Sequence, residues 1–336
     1  MADIVKTIEA LKKGEFVTPK RLAEVLECQK EQQLEYLFTT ADQVRKNHHG
    51  KVVKIRAIIE FSNHCRCSCW YCGMYAGQKG LQRYRMKAEE LVSACQQVWQ
   101  AGYQTVVLQS GEDLYYTKEM IGEIVKQVKT TTGLAITLSL GERPFEDYAY
   151  WKLQGADRYL IKHETCNEPM YNRYHPHSSF QERIRCQNDL RLLGYELGSG
   201  FMVGLPGQTN EMLAEDILFL KRQRVSMAGI GPYICHPNTR LRGSTDGSAE
   251  LTLKALALAR LALPRANLPS TTALNVKGGM RNALHLGANV IMQKATPFQY
   301  RNLYDIYPGR ESAEISLKTQ LNHLKEQLCG MGFTGV

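Results

Sequence analysis

Three cysteines, Cys65, Cys69 and Cys72, stand four and three residues apart within the stretch FSNHCRCSCWYCG, Phe61 to Gly73. A single loop can wrap that spacing around one compact metal centre with all three sulfurs facing inward. Three thiolates suit an iron–sulfur cluster. A 4Fe-4S cubane usually takes four cysteines, so three leave one iron without a protein ligand and open to a small molecule. A structural zinc site closes with four ligands, often as two spaced cysteine pairs, and Cys67 or His64 would have to complete it here. Cys69 and Cys72 form a C-x-x-C pair, but the flanking pattern of a thioredoxin-like redox motif is missing. Metal-free buried thiols fit poorly, because four of the ten cysteines fall within eight positions.

The loop needs a rigid frame, and the rest of the chain supplies one. Apolar, β-branched runs begin at Val53, Thr105, Leu134, Arg158, Leu197, Met227, Pro269 and Asn289. Between them lie segments with helical spacing, such as Ile121, Ile124, Val125 and Val128. Glycines at 102, 133, 155, 194 and 287 punctuate the ends of those helices. Eight such units predict a complete (β/α)8 TIM-type barrel over 53–294, close to the roughly 250 residues usual for that fold. A helical N-terminal extension occupies 1–52, with helices over Asp3 to Lys13 and Pro19 to Glu27 and a basic turn at Lys46 to Lys51. A C-terminal extension, 295–336, carries Leu317, Leu321, Leu324 and Leu328 on one helix face that closes against the barrel. An open doubly wound sheet shows the same alternation. Neither G-x-G-x-x-G after the first strand nor a Walker loop is present, however, and the cysteine loop sits where the first strand meets its helix. In barrels that end of each strand is the catalytic face.

With 336 residues, the chain can bury a large core. No apolar run approaches the roughly 20 residues of a membrane span, and the N-terminus reads as an amphipathic helix rather than a secretion signal. Ten cysteines, half of them far from the loop, favour a reducing cytoplasm. Cys95 shares a helix face with Leu91, Ala94 and Val98 and belongs to the core; Cys28, Cys186, Cys235 and Cys329 are structural or incidental. The formal charge of +9 is scattered rather than gathered into a stripe. It suits a solvated surface, or attraction of a small anionic substrate, and no nucleic-acid module is recognisable.

The cysteine spacing, with Tyr71 just before the last cysteine, resembles the signature of the radical S-adenosylmethionine superfamily. That resemblance implies a 4Fe-4S cluster held by Cys65, Cys69 and Cys72. The fourth iron is chelated by the amino and carboxylate groups of S-adenosylmethionine, whose cleavage gives a 5'-deoxyadenosyl radical. Ser110, Gly111 and Glu112 follow the second strand, where small residues permit close backbone approach; they are similar to the superfamily's GGE motif, which holds the methionine amino group. Glu164, in HETCN, is placed to bind hydroxyls such as those of a ribose. The planar fork of Arg183 suits a carboxylate. Gly204 and Leu205, in MVGLPGQT, offer a surface for an adenine, although a tight turn explains the glycine equally well.

Taken jointly, HETCN, RCQNDLRLLGYELGSGFMVGLPGQT, MAGIGPYICHPNT and TTAL resemble the HydE family of FeFe-hydrogenase maturases, with biotin synthase and methylornithine synthase as the nearest confusions. The resemblance implies action on an iron complex carrying cysteine, carbon monoxide and cyanide. An electron donor and sister maturases would be partners, and a monomer is expected. By the same resemblance Glu164 meets the ribose, Arg183 the methionine carboxylate, and Thr137, Arg158, Lys162, Thr271 and Thr272 line an anion-binding inner cavity. This chain departs from the family in three places. After Tyr307 it has only Cys329, so a second cluster is not expected. Lys162 stands where arginine is usual, and Cys166 occupies a small-residue position with a possible substrate-linked role. Tyr304 and Tyr307 either cap the cavity or pack as an ordinary helix. A methylornithine synthase-like mutase and a non-catalytic iron–sulfur protein are the remaining readings.

Overall fold

The computed structural model describes residues 2–276, 278–309 and 314–336. Eight parallel strands form a ring: β1 (Val52–Ser62), β2 (Thr105–Ser110), β3 (Ala135–Ser139), β4 (Arg158–Leu160), β5 (Glu196–Val203), β6 (Met227–Pro232), β7 (Pro269–Ser270) and β8 (Val290–Lys294). From β1 to β6 and from β7 to β8 each pairs with its neighbour in sequence, and β8 returns beside β1 with Ile55 opposite Ile291. An open doubly wound sheet is thereby excluded. Between β6 and β7 a single bridge, Met227 to Asn267, replaces the ladder.

The seventh strand departs most from expectation. Pro269 has no N–H to give a ladder, and the chain turns into the helix Thr272–Val276. Only Pro269 and Ser270 of PSTTAL are extended, and its last three residues are helical. A two-residue strand that the sequence does not mark, β9 (Thr334–Gly335), pairs with the first residues of β1.

Before the ring come helices Ala2–Lys13, Pro19–Glu27 and Glu31–His49. The second has the bounds its sequence predicts, because the Thr18 side chain caps it and Pro19 fits its first turn. The third continues through the expected basic turn, since Lys46, His48 and His49 favour the negative end of a helix; the turn comes only at Gly50. After the ring, helix Leu317–Gly330 buries Leu321 and Leu328.

Alternation along the strands separates two environments. Outward residues such as Val53, Ile55, Ala57, Ile59 and Phe61 are sealed beneath the helices. Many inward positions are polar or small, although Ile58 and Val107 share a layer with Thr137. Glu60, Gln109 and Ser139 stand at matched register positions on β1, β2 and β3, and Gly200 pairs with Gly229 across β5 and β6. Barrel interiors are usually filled by layers of bulky branched side chains. Here a Cβ built on Gly229 would stand 3.2 Å from Lys162 Cε, so the missing side chain gives Lys162 its room.

Candidate active site

β1 delivers the chain to the C-terminal mouth of the ring, where the cysteine loop begins. Gly111, at the end of β2, lets the second turn lie directly on that loop, because a Cβ there would fall 2.2 Å from His64 O and 2.8 Å from Cys65 Cβ. Two backbone bonds stitch the turns together: Arg66 N–H donates to Glu112 O at 3.0 Å, and Glu112 N–H to Cys65 Sγ at 3.3 Å. On the other side Gly73 N–H donates to Ile306 O, and Asn63 Nδ2 to Leu303 O. Tyr304 is buried and takes a bond from the inward Gln109. It lies beyond the short helix Phe298–Arg301 and belongs to the main hydrophobic core cluster.

The three thiols feel one another. Burial and the neighbouring Cys72 and Cys65 sulfurs push the Cys69 thiol upward, burial and Cys65 push Cys72 up to about 12, and a hydrogen bond from Cys67 draws Cys65 down. Among the described residues no three His, Cys, Asp or Glu side chains converge as the ligands of a single ion must.

Two histidines that sequence reading missed hold the loop from below. Trp70 N–H donates to Tyr174 O at 3.1 Å, and the next three residues contribute His175 and His177. His175 Nδ1 faces the Tyr171 carbonyl at 2.9 Å and so must carry the proton; Nε2 then accepts from the Tyr71 hydroxyl at 2.7 Å. Burial pushes this imidazole down to about 3, which keeps it neutral. His177 has the opposite tautomer. Its Nδ1 accepts the Ser68 N–H at 3.1 Å, which leaves the proton on Nε2, 3.9 Å from Cys69 Sγ.

Glu164 follows β4 at φ 58. Thr165 N–H donates to His163 O at 2.7 Å around it, which makes Glu164 the centre of a γ-turn of the strained, positive-φ kind. Bonds to β5 on both sides, Glu164 N–H to Gly200 O and Met202 N–H to Glu164 O, fix the residue in place. Its Oε2 is buried and has no hydrogen-bond partner. Burial and the Cys69 sulfur push the Tyr71 hydroxyl well up, with a smaller upward push from the Glu164 carboxylate, partly offset by the Arg183 guanidinium.

Arg183 is buried. Its Nε donates to Glu142 Oε1 at 2.8 Å and its Nη1 to Lys162 O. Glu142 also takes the Ser178 hydroxyl at 2.6 Å. The Glu112 carboxylate is engaged by Arg66 at 2.7 Å and by Glu142 N–H at 2.8 Å, so an incoming ammonium group would share it with a side chain that is half exposed. Leu205 joins Tyr174 and Tyr233 in a small apolar cluster that Trp70 and Tyr71 border. Gly204 has φ 89, and a Cβ there would meet Gly247 Cα at 2.4 Å. Its freedom therefore serves a tight turn against residue 247, the plainer of the two readings of that glycine. Cys166 is turned toward Asp216 on the helix Asn210–Arg222, and its thiol is pushed upward by burial and by that carboxylate.

The cavity-lining residues divide into two groups. Thr137 and Arg158 pair across β3 and β4 at the opposite, N-terminal end of the ring, where with Arg56 they line a cavity of about 10 Å³, enough for one water. Thr137 Oγ1 and Arg158 Nη1 are buried there without partners, while Arg158 Nε holds Glu196 at 2.8 Å. Lys162 and Thr271 stand nearer the mouth; Thr271 Oγ1 bonds Ile230 O, and Thr272 opens the helix after β7.

A parallel barrel bearing three neighbouring thiols on the loop after its first strand, with an unpartnered carboxylate across its mouth, defines the radical S-adenosylmethionine class. Residues 59–220 match the Radical SAM superfamily. Over 305 residues, 90% of this chain and 87% of the relative, the sequence is 49% identical to the [FeFe] hydrogenase maturase subunit HydE of Thermotoga maritima. It is 27% identical over 291 residues to the 3-methylornithine synthase of Methanosarcina acetivorans, with 86% and 83% of the two chains covered. The crystal structure of methylornithine synthase (PylB) superposes with a TM-score of 0.84 over 98% of this chain and 97% of that one, at 23% identity. The chain belongs to the HydE family of radical S-adenosylmethionine enzymes, and its cofactors are a 4Fe-4S cluster and S-adenosylmethionine.

Proposed function

We propose that this protein matures FeFe-hydrogenase by acting on an iron complex that carries cysteine, carbon monoxide and cyanide, held inside the ring. The 49% identity to a HydE maturase over nine tenths of the chain carries the reading. When bound, the cluster supplies the electron that cleaves S-adenosylmethionine to methionine and a 5'-deoxyadenosyl radical.

The chain's own residues bind and orient. Cys65, Cys69 and Cys72 hold three irons, and Ser110, Gly111 and Glu112 receive the methionine ammonium. Arg183, kept in plane by Glu142, offers its remaining donors to the methionine carboxylate. Glu164 Oε2, which lacks a partner, accepts bonds from the ribose hydroxyls. Tyr71, Gly204 and Leu205 present a mostly apolar wall to the adenine. Lys162, Thr271 and Thr272 face the substrate, and Thr137 and Arg158, with Arg56 added by the structure, hold its anionic part or a small anion. Burial and the Arg158 charge push the Arg56 guanidinium down to about 10; an anion between the two would relieve that repulsion. Among the described residues no helix is long and apolar enough to cross a membrane, and the enzyme works as a cytoplasmic monomer with sister maturases and a one-electron donor.

The test is a maturation mixture containing apo-hydrogenase and the other maturases but no HydE. Adding the reconstituted chain should restore hydrogen evolution. If 5'-deoxyadenosine forms while the hydrogenase stays inactive, the radical chemistry stands and the maturation substrate is wrong.

A further inference from the structure

Asp216 is wholly buried on helix Asn210–Arg222, which packs outside the ring. A carboxylate removed from water is costly unless it is bonded or paired, and the catalytic groups described above do not use it. Its contacts fall on the two flanks of one residue. The Asp216 carboxylate accepts the backbone N–H of Cys166 at 2.5 Å and lies 3.3 Å from His163 Nε2. Between those flanks stands Glu164, in its strained turn.

The proton on His163 can be placed by counting donors. Ser199 Oγ receives the Gln187 amide at 2.9 Å and the His163 backbone N–H at 3.3 Å. Its one hydrogen is then free for His163 Nδ1 at 3.0 Å, which leaves the imidazole proton on Nε2, on the side of Asp216 but not aligned with it as a hydrogen bond. A positive-φ γ-turn at a non-glycine residue is strained and persists only where its surroundings over-determine it. Here Asp216 adds to the two β5 bonds: it holds the residue 166 N–H directly and stands at ion-pair distance, 3.3 Å, from the residue 163 ring, without hydrogen-bond alignment. Relaxed to negative φ, Glu164 would carry its carboxylate away from the mouth.

We propose that Asp216 and His163 are positioning residues for the cosubstrate site. From outside the barrel wall they hold the backbone turn that aims Glu164 at the ribose hydroxyls. The inference rests on the reading of Glu164 as the ribose ligand, and the competing account is a buried pair that serves stability alone.

A double-mutant cycle separates the two. The dissociation constant for S-adenosylmethionine is measured by equilibrium dialysis on anaerobically reconstituted holoenzyme, with melting temperature recorded alongside. E164Q and D216A should each weaken binding by about 10-fold, and the E164Q/D216A double variant should bind no worse than the weaker single one. D216N keeps an acceptor for the Cys166 N–H and should fall between wild type and D216A; H163Q should behave like D216N, so both inform the test even where D216A does not fold. Losses that multiply in the double variant, or a lowered melting temperature with unchanged affinity in D216N and H163Q, would overturn the positioning role alone. Unchanged affinity in E164Q would overturn the ribose assignment first, and this inference with it.

Discussion

Among the described residues the mouth and the base of this barrel both hold buried polar atoms without partners, and of these two ends only the mouth holds an unpartnered carboxylate. At the mouth a carboxylate oxygen, Glu164 Oε2, and the Trp70 indole N–H are without partners; at the base Arg158 Nη1, a donor, and Thr137 Oγ1, a hydroxyl, are. An unmade bond to a buried group costs roughly 1–3 kcal/mol, so each end selects a ligand that completes it. The mouth asks for hydroxyl or ammonium hydrogens, as a ribose and an amino acid provide. The base asks for an acceptor no larger than about one water, and the repulsion between Arg56 and Arg158 makes an anion the better fit. One barrel can therefore grip a cationic cosubstrate at one end and an anionic group at the other without either competing for the wrong site.

The contrast can be broken in order of expected effect. Replacing Cys65, Cys69 or Cys72 with alanine should abolish the cluster and all 5'-deoxyadenosine formation, read by iron content and visible absorption. Cys67→Ala should keep both, and loss of iron there would move the ligand assignment. Glu164→Gln should raise the dissociation constant for S-adenosylmethionine by about 10-fold, the order expected for lost bonds to a charged acceptor, with iron content unchanged. Thr137→Val, at the base, should leave that constant within about 2-fold while removing small-anion binding measured by calorimetry; weakened cosubstrate binding in this variant would show that the two ends are not independent. His177→Phe removes an N–H that faces Cys69 Sγ, and hydrogen bonds to cluster sulfurs help set cluster potential. A modest negative shift in midpoint potential, seen without cosubstrate, is the expected outcome.

The sequence made the ring and its loop legible because both are local signals. Alternating strands and helices, and cysteines four and three apart, can be read within a short window. β7 was over-read because TTAL looks extended until the helix at Thr272 claims it, and β9 is too short to carry a pattern. The histidines under the loop were not legible. His175 and His177 lie more than 100 positions from the residues they hold, and no periodicity links them. Arg56 looked like one more surface charge on a strand until the ring closed around it. Asp216 sits in a helix whose neighbours are apolar, and only the turn at Glu164, itself invisible in the sequence, gives it a purpose.

The central claim is that three protein thiolates hold a 4Fe-4S cluster whose fourth iron is reserved for the cosubstrate. Electron paramagnetic resonance of the reduced, anaerobically reconstituted protein, recorded with and without S-adenosylmethionine, tests it most directly. The account predicts about four irons per chain and a clear change in the spectrum when the cosubstrate is added. A spectrum that the cosubstrate leaves unaltered would contradict it.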